Sequence, residues 1–169
     1  MIIENSKSKI EVYDNYVVKS LKNQKLDNRW FDAYRQLSQE NDFLVKIDKQ
    51  NSRSEFTMER LDIITDLDKI LKDEDFYYLL DKEMICKIIE VFNNAFLIGV
   101  NYSKNLDNGF FYHTDLHLYN FVLTKNREVK VLDPDSFQFQ ENFDHAYRYF
   151  QSQIFLMSAL QKYYYVQTR

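Results

Sequence analysis

Apolar and polar positions alternate near the N-terminus. Ile10 and Val12 stand between polar neighbours, Asp14-Asn15 makes a turn, and Tyr16-Val17-Val18 resumes with β-branched residues. That pattern predicts strands within residues 1–21 and a hairpin, with Lys19 at the end of the second strand. Over residues 28–40 the period changes. Trp30, Phe31, Tyr34 and Leu37 fall at helical spacing, with Asp27 or Asn28 as the cap. FLVKI (43–47) and EFTMERL (55–61) predict two more strands, separated by the polar stretch KQNSRS. The first sixty residues therefore predict a small sheet with one helix.

Beyond Leu61 the pattern becomes helical. Residues 62–80 are acidic and rich in Leu and Ile, which predicts helix in pieces. Asp81 is placed to cap a helix whose apolar face is Met84, Ile88, Ile89, Phe92, Ala95 and Phe96 and which fades near Gly99. FVLT (121–124), the polar KNRE and VKVL (129–132) predict a hairpin that stops at Asp133-Pro134-Asp135, because proline cannot continue a ladder. Residues 143–163 return to an aromatic-rich helical pattern, with His145 on its surface. No internal repeat or low-complexity linker interrupts the chain, so 1–169 is expected to be a single unit with a strand-rich and a helix-rich part.

Composition narrows the picture. Only two glycines and one proline are present, so loops must be built from Asn, Asp, Ser and Lys, and aromatics reach 17% of the 169 residues, so much of the core must be rings. The single cysteine, Cys86, excludes an internal disulfide and sits in an apolar helical pattern, which predicts a buried small hydrophobe. MIIENSKSK lacks the apolar core of a signal peptide, and Ala95–Val100 is too short to span a bilayer. A soluble, cytoplasmic chain is expected. The net charge of −4 argues against nucleic acid as the main partner.

The densest chemistry lies in HTDLHLYNF, residues 113–121. A polar turn capping the preceding helix is one explanation. A metal site built on His113 and His117 is a second, but the flanking pattern is not helical and no third nitrogen or sulfur ligand stands at useful spacing. The third uses Asp133. An Asp, an Asn five residues later, a hairpin and an Asp at the strand end form a layout for phosphoryl transfer. The hairpin returns Asp133 to Asn120, whose oxygens can hold Mg²⁺, and Asp115 can take a proton from an acceptor hydroxyl.

At this point the chain resembles the protein kinase superfamily. HTDLHLYN fits the catalytic-loop pattern H-x-D-L-x-x-x-N, and VLDPDSF stands in place of the D-F-G segment. VVK (17–19) is similar to the strand that carries the phosphate-clamping lysine, and FTMERL (56–61) to the connection between lobes. The resemblance implies an α+β, bilobal, kinase-like fold with a small β-rich N-lobe (1–58), a hinge (59–61) and a truncated helical C-lobe (62–169). It implies Asp115 as catalytic base with Asn120 beside it, and Asn120, Asp133 and Asp135 as Mg²⁺ ligands. ATP would be held by Lys19, by Asp32 at the position of the helix glutamate, by Ser6, Lys7 and Ser8 in place of a glycine-rich loop, and by Met58, Glu59 and Leu61 at the hinge. His113 is expected to hold the loop backbone. His117 is expected either as a wall of the site or as a solvated loop residue.

Thr114 in place of arginine, His117, and D-P-D instead of D-F-G lean toward aminoglycoside-type kinases, whereas the small size is similar to effector kinases that bacterial pathogens deliver into host cells, so the resemblance implies delivery into a host cell as the alternative to a cytoplasmic location. The expected activity is Mg²⁺-ATP-dependent phosphorylation of a hydroxyl on a protein, with an activating protein partner for so small an enzyme. The alternatives are a small-molecule or saccharide kinase, a nucleotide-binding pseudokinase acting as an interaction module, and transfer of AMP.

Overall fold

The N-terminal alternation becomes a five-stranded antiparallel sheet in the computed structural model, which describes residues 1–103, 109–141 and 146–167. Its strands are β1 (Ile2–Glu4), β2 (Ser8–Val12), β3 (Tyr16–Leu21), β4 (Ile47–Ser52) and β5 (Glu55–Glu59), in the order β1-β2-β3-β5-β4. The hairpin at Asp14-Asn15 is present, with Val12 opposite Val17 and Ile10 opposite Lys19. Helix α1 (Trp30–Glu40) packs Trp30, Ala33, Tyr34 and Leu37 inward, and Trp30 rests on Tyr34 and Phe56.

One predicted strand is displaced. FLVKI was expected to pair within this sheet, but the strand starts at Ile47 and runs through the polar stretch to Ser52. β4 is an edge strand, so polar side chains there cost nothing. The apolar Leu44 and Val45 are buried instead where the sheet meets the second half of the chain. Leu44 forms a parallel bridge with Val131, and the Val131 N–H donates to the Phe43 carbonyl at 2.8 Å.

The second part is more helical, with short strands between its helices. β6 (Ile63–Asp66) is a strand where helix was expected, and it pairs with β8 (Phe121–Thr124). After it come α2 (Leu67–Lys72) and a 3₁₀ stretch, Glu74–Leu79. α3 (Lys82–Ser103) begins as predicted, with the Asp81 carboxylate accepting from the Met84 N–H at 2.8 Å, but it passes through Gly99 rather than fading there. Cys86 faces outward and is exposed, contrary to the expectation of a buried position. The helical apolar stripe leaves room for it on the solvent side.

β7 (Phe110–His113) pairs with β10 (Phe137–Gln140), and β8 pairs with β9 (Val129–Val131) as the predicted hairpin. Pro134 ends that hairpin and opens a 3₁₀ turn, Pro134–Ser136. α4 (Ala146–Gln167) closes over α3, with Tyr149 stacked on Phe96 at 3.9 Å and Phe92 resting in turn on Phe121 of β8. His145 lies outside the described residues. Among the described residues no helix is long and apolar enough to cross a membrane. The architecture is a mixed α+β fold, β-rich at the N-terminal end and more helical at the C-terminal end.

Candidate functional site

The pleat of β2 and β3 decides what meets the second half. Residues paired across two strands share a face, so Ile10, Val12, Val17 and Lys19 point the same way, and Met58 joins them opposite Val17. This face covers a cleft with two compartments. The first has a volume of about 520 Å³ and apolar walls that include Ile10, Val12, Val17, Val45, Met58 and Leu132. Glu59 and Leu61 also line it, so the three predicted hinge residues gather here. The Glu59 carboxylate is partly engaged, accepting from the Lys46 N–H at 2.7 Å.

The second compartment, about 570 Å³, is polar. It shares Ile10, Lys19 and Asp133 with the first and adds Lys7, Ser8, Thr114, Asp115, Asp135 and Gln138. The two hollows meet at Lys19. A ligand with an apolar end and a charged end fits such a pair.

Lys19 is buried, and its Nζ lies 2.8 Å from Asp133 Oδ1 and 2.6 Å from Asp135 Oδ1. Burial works against the ammonium charge, but the two carboxylates outweigh it and hold the lysine pKa above its ordinary value. The Asp135 side chain is 13% exposed and that of Asp133 41%. Burial raises the Asp135 pKa; the Asp133 charge adds to the rise, and Lys19 opposes it. Asp133 sits in the left-handed region with φ 55° and ψ 63°, a conformation costing a non-glycine residue roughly 1–2 kcal/mol. The Ser136 N–H on the Asp133 carbonyl and the Lys19 ion pair hold it there.

Residues 113–120 fold as a tightly tied loop between β7 and β8. His113 is buried; its Nδ1 accepts from the Asp115 N–H at 3.1 Å, and its Nε2 lies 3.3 Å from the Leu132 carbonyl. That pairing requires the proton on Nε2 and a neutral ring. Burial pushes the His113 pKa down to about 4, in accord with a ring that holds the loop backbone. Both of its nitrogens are thereby used, and none is left for a metal. The Asn120 amide donates to the Asp115 carbonyl at 2.7 Å, and the Asn120 carbonyl accepts from the Leu132 N–H at 2.7 Å. Thr114 donates twice to the Ser136 carbonyl, through its N–H and its hydroxyl. These bonds fix Asp115 on one wall of the polar compartment and Asp133 and Asp135 on another.

Not every expected residue arrives at the cleft. Asp32 is exposed on α1, and the carboxylates on Lys19 come from Asp133 and Asp135 instead. The inward face of α1 is taken by Trp30, Ala33, Tyr34, Leu37 and Ser38, so no acid on that helix faces the sheet. Ser6 is exposed and does not line the polar compartment, whereas Lys7 and Ser8 do. The Lys7 and Ser8 N–H groups both donate to Asn5 Oδ1 at 2.8 Å, so this turn offers side chains rather than backbone donors. Asn120 is buried beneath the loop and lines neither compartment. Ile10, Val12, Val17, Val45 and Leu132 are wall residues that motif spacing did not single out. Their signal was the alternation itself, which marks an apolar face without saying what covers it.

Among the described residues no group of three His, Cys, Asp or Glu side chains converges to hold a metal. No protein-family model matches the chain, and no curated protein matches it either.

Proposed function

We propose that the chain is a Mg²⁺-ATP-dependent phosphotransferase of bilobal, kinase-like fold, acting on a hydroxyl group of a protein. The observation that carries this proposal is the convergence of Lys19, Asp115, Asp133 and Asp135 on one polar compartment that opens into an apolar one. A nucleoside triphosphate has that division, with a flat base at one end and a polyanion at the other. Residues 1–58 form the N-lobe, 59–61 the hinge and 62–169 the C-lobe.

The donor set suits Mg²⁺. The cation is bound through one or two carboxylates together with phosphate oxygens and water, so a third carboxylate is not required. Two carboxylates already share one cation, the Lys19 ammonium. Asp133, the more open, and Asp135 would hold Mg²⁺. The Asn120 amide, whose nitrogen is committed to Asp115, has its oxygen as the remaining acceptor. Bound there, Mg²⁺ would neutralise charge on the β and γ phosphates.

The chain's own residues supply the rest. Lys19, released from the carboxylates, would pair with phosphate oxygens. Lys7 and Ser8 would contact them from the turn above. Met58, Glu59 and Leu61, with the apolar walls, would hold the base. Asp115 would orient the acceptor hydroxyl and take its proton. Positioning and charge neutralisation would account for most of the rate.

A second reading is favoured by Asp32, which stands away from Lys19. In that case the chain binds a nucleotide without turning it over and serves as an interaction module. Calorimetric titration with Mg²⁺-ATP tests what the two readings share. Asp133→Ala should lose Mg²⁺-dependent binding while its circular dichroism spectrum stays unchanged. Binding at wild-type strength in that variant would remove Asp133 from the metal site.

A further inference from the structure

We propose that a separate hollow beside the cleft binds the phosphate group of a phosphate monoester; this goes beyond the phosphotransferase proposal and stands without it. The hollow has a volume of about 280 Å³ and lies where the segment before α1, the β4–β5 turn and β10 meet. Gln24 and Gln138 line both it and the polar compartment, so the two adjoin.

Its charge is unbalanced. Lys25 and Arg53 line it, and Asp27 is the single acid among its lining residues. That acid is already matched. Asp27 Oδ1 accepts from the Arg29 N–H at 2.8 Å and from Arg29 Nε at 2.9 Å, and Asp27 Oδ2 accepts from Arg29 Nη2 at 3.2 Å. Arg29 is kept in place by the Phe139 ring, 3.9 Å from its guanidinium carbon. The Lys25 ammonium has no hydrogen bond or ion pair among the described residues. Arg53 is fixed but not used up. Its Nε donates to the Leu26 carbonyl at 2.8 Å, and its carbonyl accepts from the Leu26 N–H at 2.7 Å. Both terminal nitrogens of its guanidinium are left without a partner among the described residues. Two positive charges thus line the hollow uncompensated, in a chain whose net charge is −4.

A second observation is independent of the charges. Trp30 lines the hollow and is 1% exposed, and its Nε1–H has no acceptor among the described residues. Buried donors are as a rule paired, and one left unpaired is costly. A phosphate monoester meets all three groups at once. It carries close to two negative charges at neutral pH and three strong acceptor oxygens, which suit two cations and an indole N–H. A carboxylate, with one charge, would leave one cation uncompensated. The Arg53 fork can take two phosphate oxygens side by side. The hollow has the volume of about nine waters at ~30 Å³ each, more than a phosphate group fills, so the carbon that carries the phosphate fits as well.

Trp30 is the one tryptophan of the chain, so its fluorescence reports on this hollow directly. The probes are O-phosphoserine, serine and inorganic phosphate, titrated into the full chain at neutral pH and constant ionic strength, with calorimetry in parallel. Phosphoserine should change the fluorescence saturably, and serine should not. Lys25→Gln, which removes no side-chain contact of the fold, and Arg53→Gln should each weaken phosphoserine binding roughly 10-fold or more. Phosphoserine binding more tightly than inorganic phosphate would make an ester the ligand, and equal binding would make it free phosphate; both support the site. Failure of either phosphate probe to bind would overturn the proposal. Unchanged affinity in either variant would do so too, because the phosphate would then sit elsewhere, as would binding that leaves the Trp30 fluorescence unmoved. None of these readouts requires turnover, so a chain that transfers no phosphate would sink the phosphotransferase proposal and leave this one standing.

Discussion

Lowering the pH from about 7 to about 5 should cost the fold about 2 kcal/mol through His113 alone. The ring is buried, and burial holds its pKa near 4 against an ordinary 6.5. Above pH 6.5 it is neutral whether the chain is folded or not, so it makes no pH-dependent contribution there. As the pH falls through 6.5 the unfolded chain takes up the proton and the folded chain does not, so stability drops. The drop levels off only once the pH passes below about 4, where the total is about 3 kcal/mol. The geometry gives the same sign: a proton on Nδ1 would displace the Asp115 N–H that it accepts. Urea unfolding of the wild type beside His113→Gln isolates this term, because every other titrating group is common to both. One of those groups, Asp135, works in the opposite direction, since its burial raises its pKa. The variant should be less stable near neutral pH, having lost its packing against Phe137 and part of its hydrogen bonding. The gap should then narrow by about 2 kcal/mol by about pH 5. A gap that stays constant over that range would mean that His113 titrates alike in both states, and the account of a neutral, doubly bonded ring would be wrong.

Two further perturbations probe the frame around the site. Gly109 has φ +94°, and a Cβ there would stand 2.7 Å from the Gln140 carbonyl oxygen, so Gly109→Ala should destabilise by more than about 1 kcal/mol in urea unfolding. An unchanged midpoint would contradict the close approach of that turn to β10. Lys19→Met leaves Asp133 and Asp135 facing each other without a counter-charge, which should cost roughly 3 kcal/mol near pH 8. Part of that should return as the pH is lowered and Asp135, whose pKa burial raises, takes up a proton; a loss independent of pH would refute the shared ion pair.

Much of the fold was legible because period and punctuation agreed. The 121–132 hairpin, its stop at Pro134, the β2–β3 turn at Asp14-Asn15 and the Asp81 cap each rest on a local rule that the tertiary structure did not override. The misses share a cause in long-range pairing. β6 looks helical because its four residues, Ile63–Asp66, are too short to show a period, and its identity comes from β8, some sixty residues on. Leu44 and Val45 are apolar because they meet Val131, not because they lie in the N-terminal sheet. At the site, Lys19, Asp115 and Asp133, singled out by their order along the chain, all line the polar compartment, whereas Asn120 lies buried beneath the loop. Their order could not show that Lys19 on β3 reaches both Asp133 and Asp135, which depends on how the sheet meets the turn after β9, nor that Asp32 faces outward, which depends on the rotation of α1 about its axis. His117 was visible in the motif, but its partner, Asp115 Oδ1 at 3.0 Å from Nε2, depends on a side-chain direction that spacing does not fix.

The most direct measurement is incubation with Mg²⁺ and γ-labelled ATP, with bacterial and eukaryotic lysates as sources of acceptor, comparing wild type with Asp115→Asn. The account predicts label on a protein with the wild type, and with Asp115→Asn retained nucleotide binding and a loss of labelling of roughly 100-fold or more. Equal labelling by both proteins would contradict Asp115 as the base. Nucleotide binding by the wild type with no transfer to any acceptor, water included, would contradict phosphotransfer.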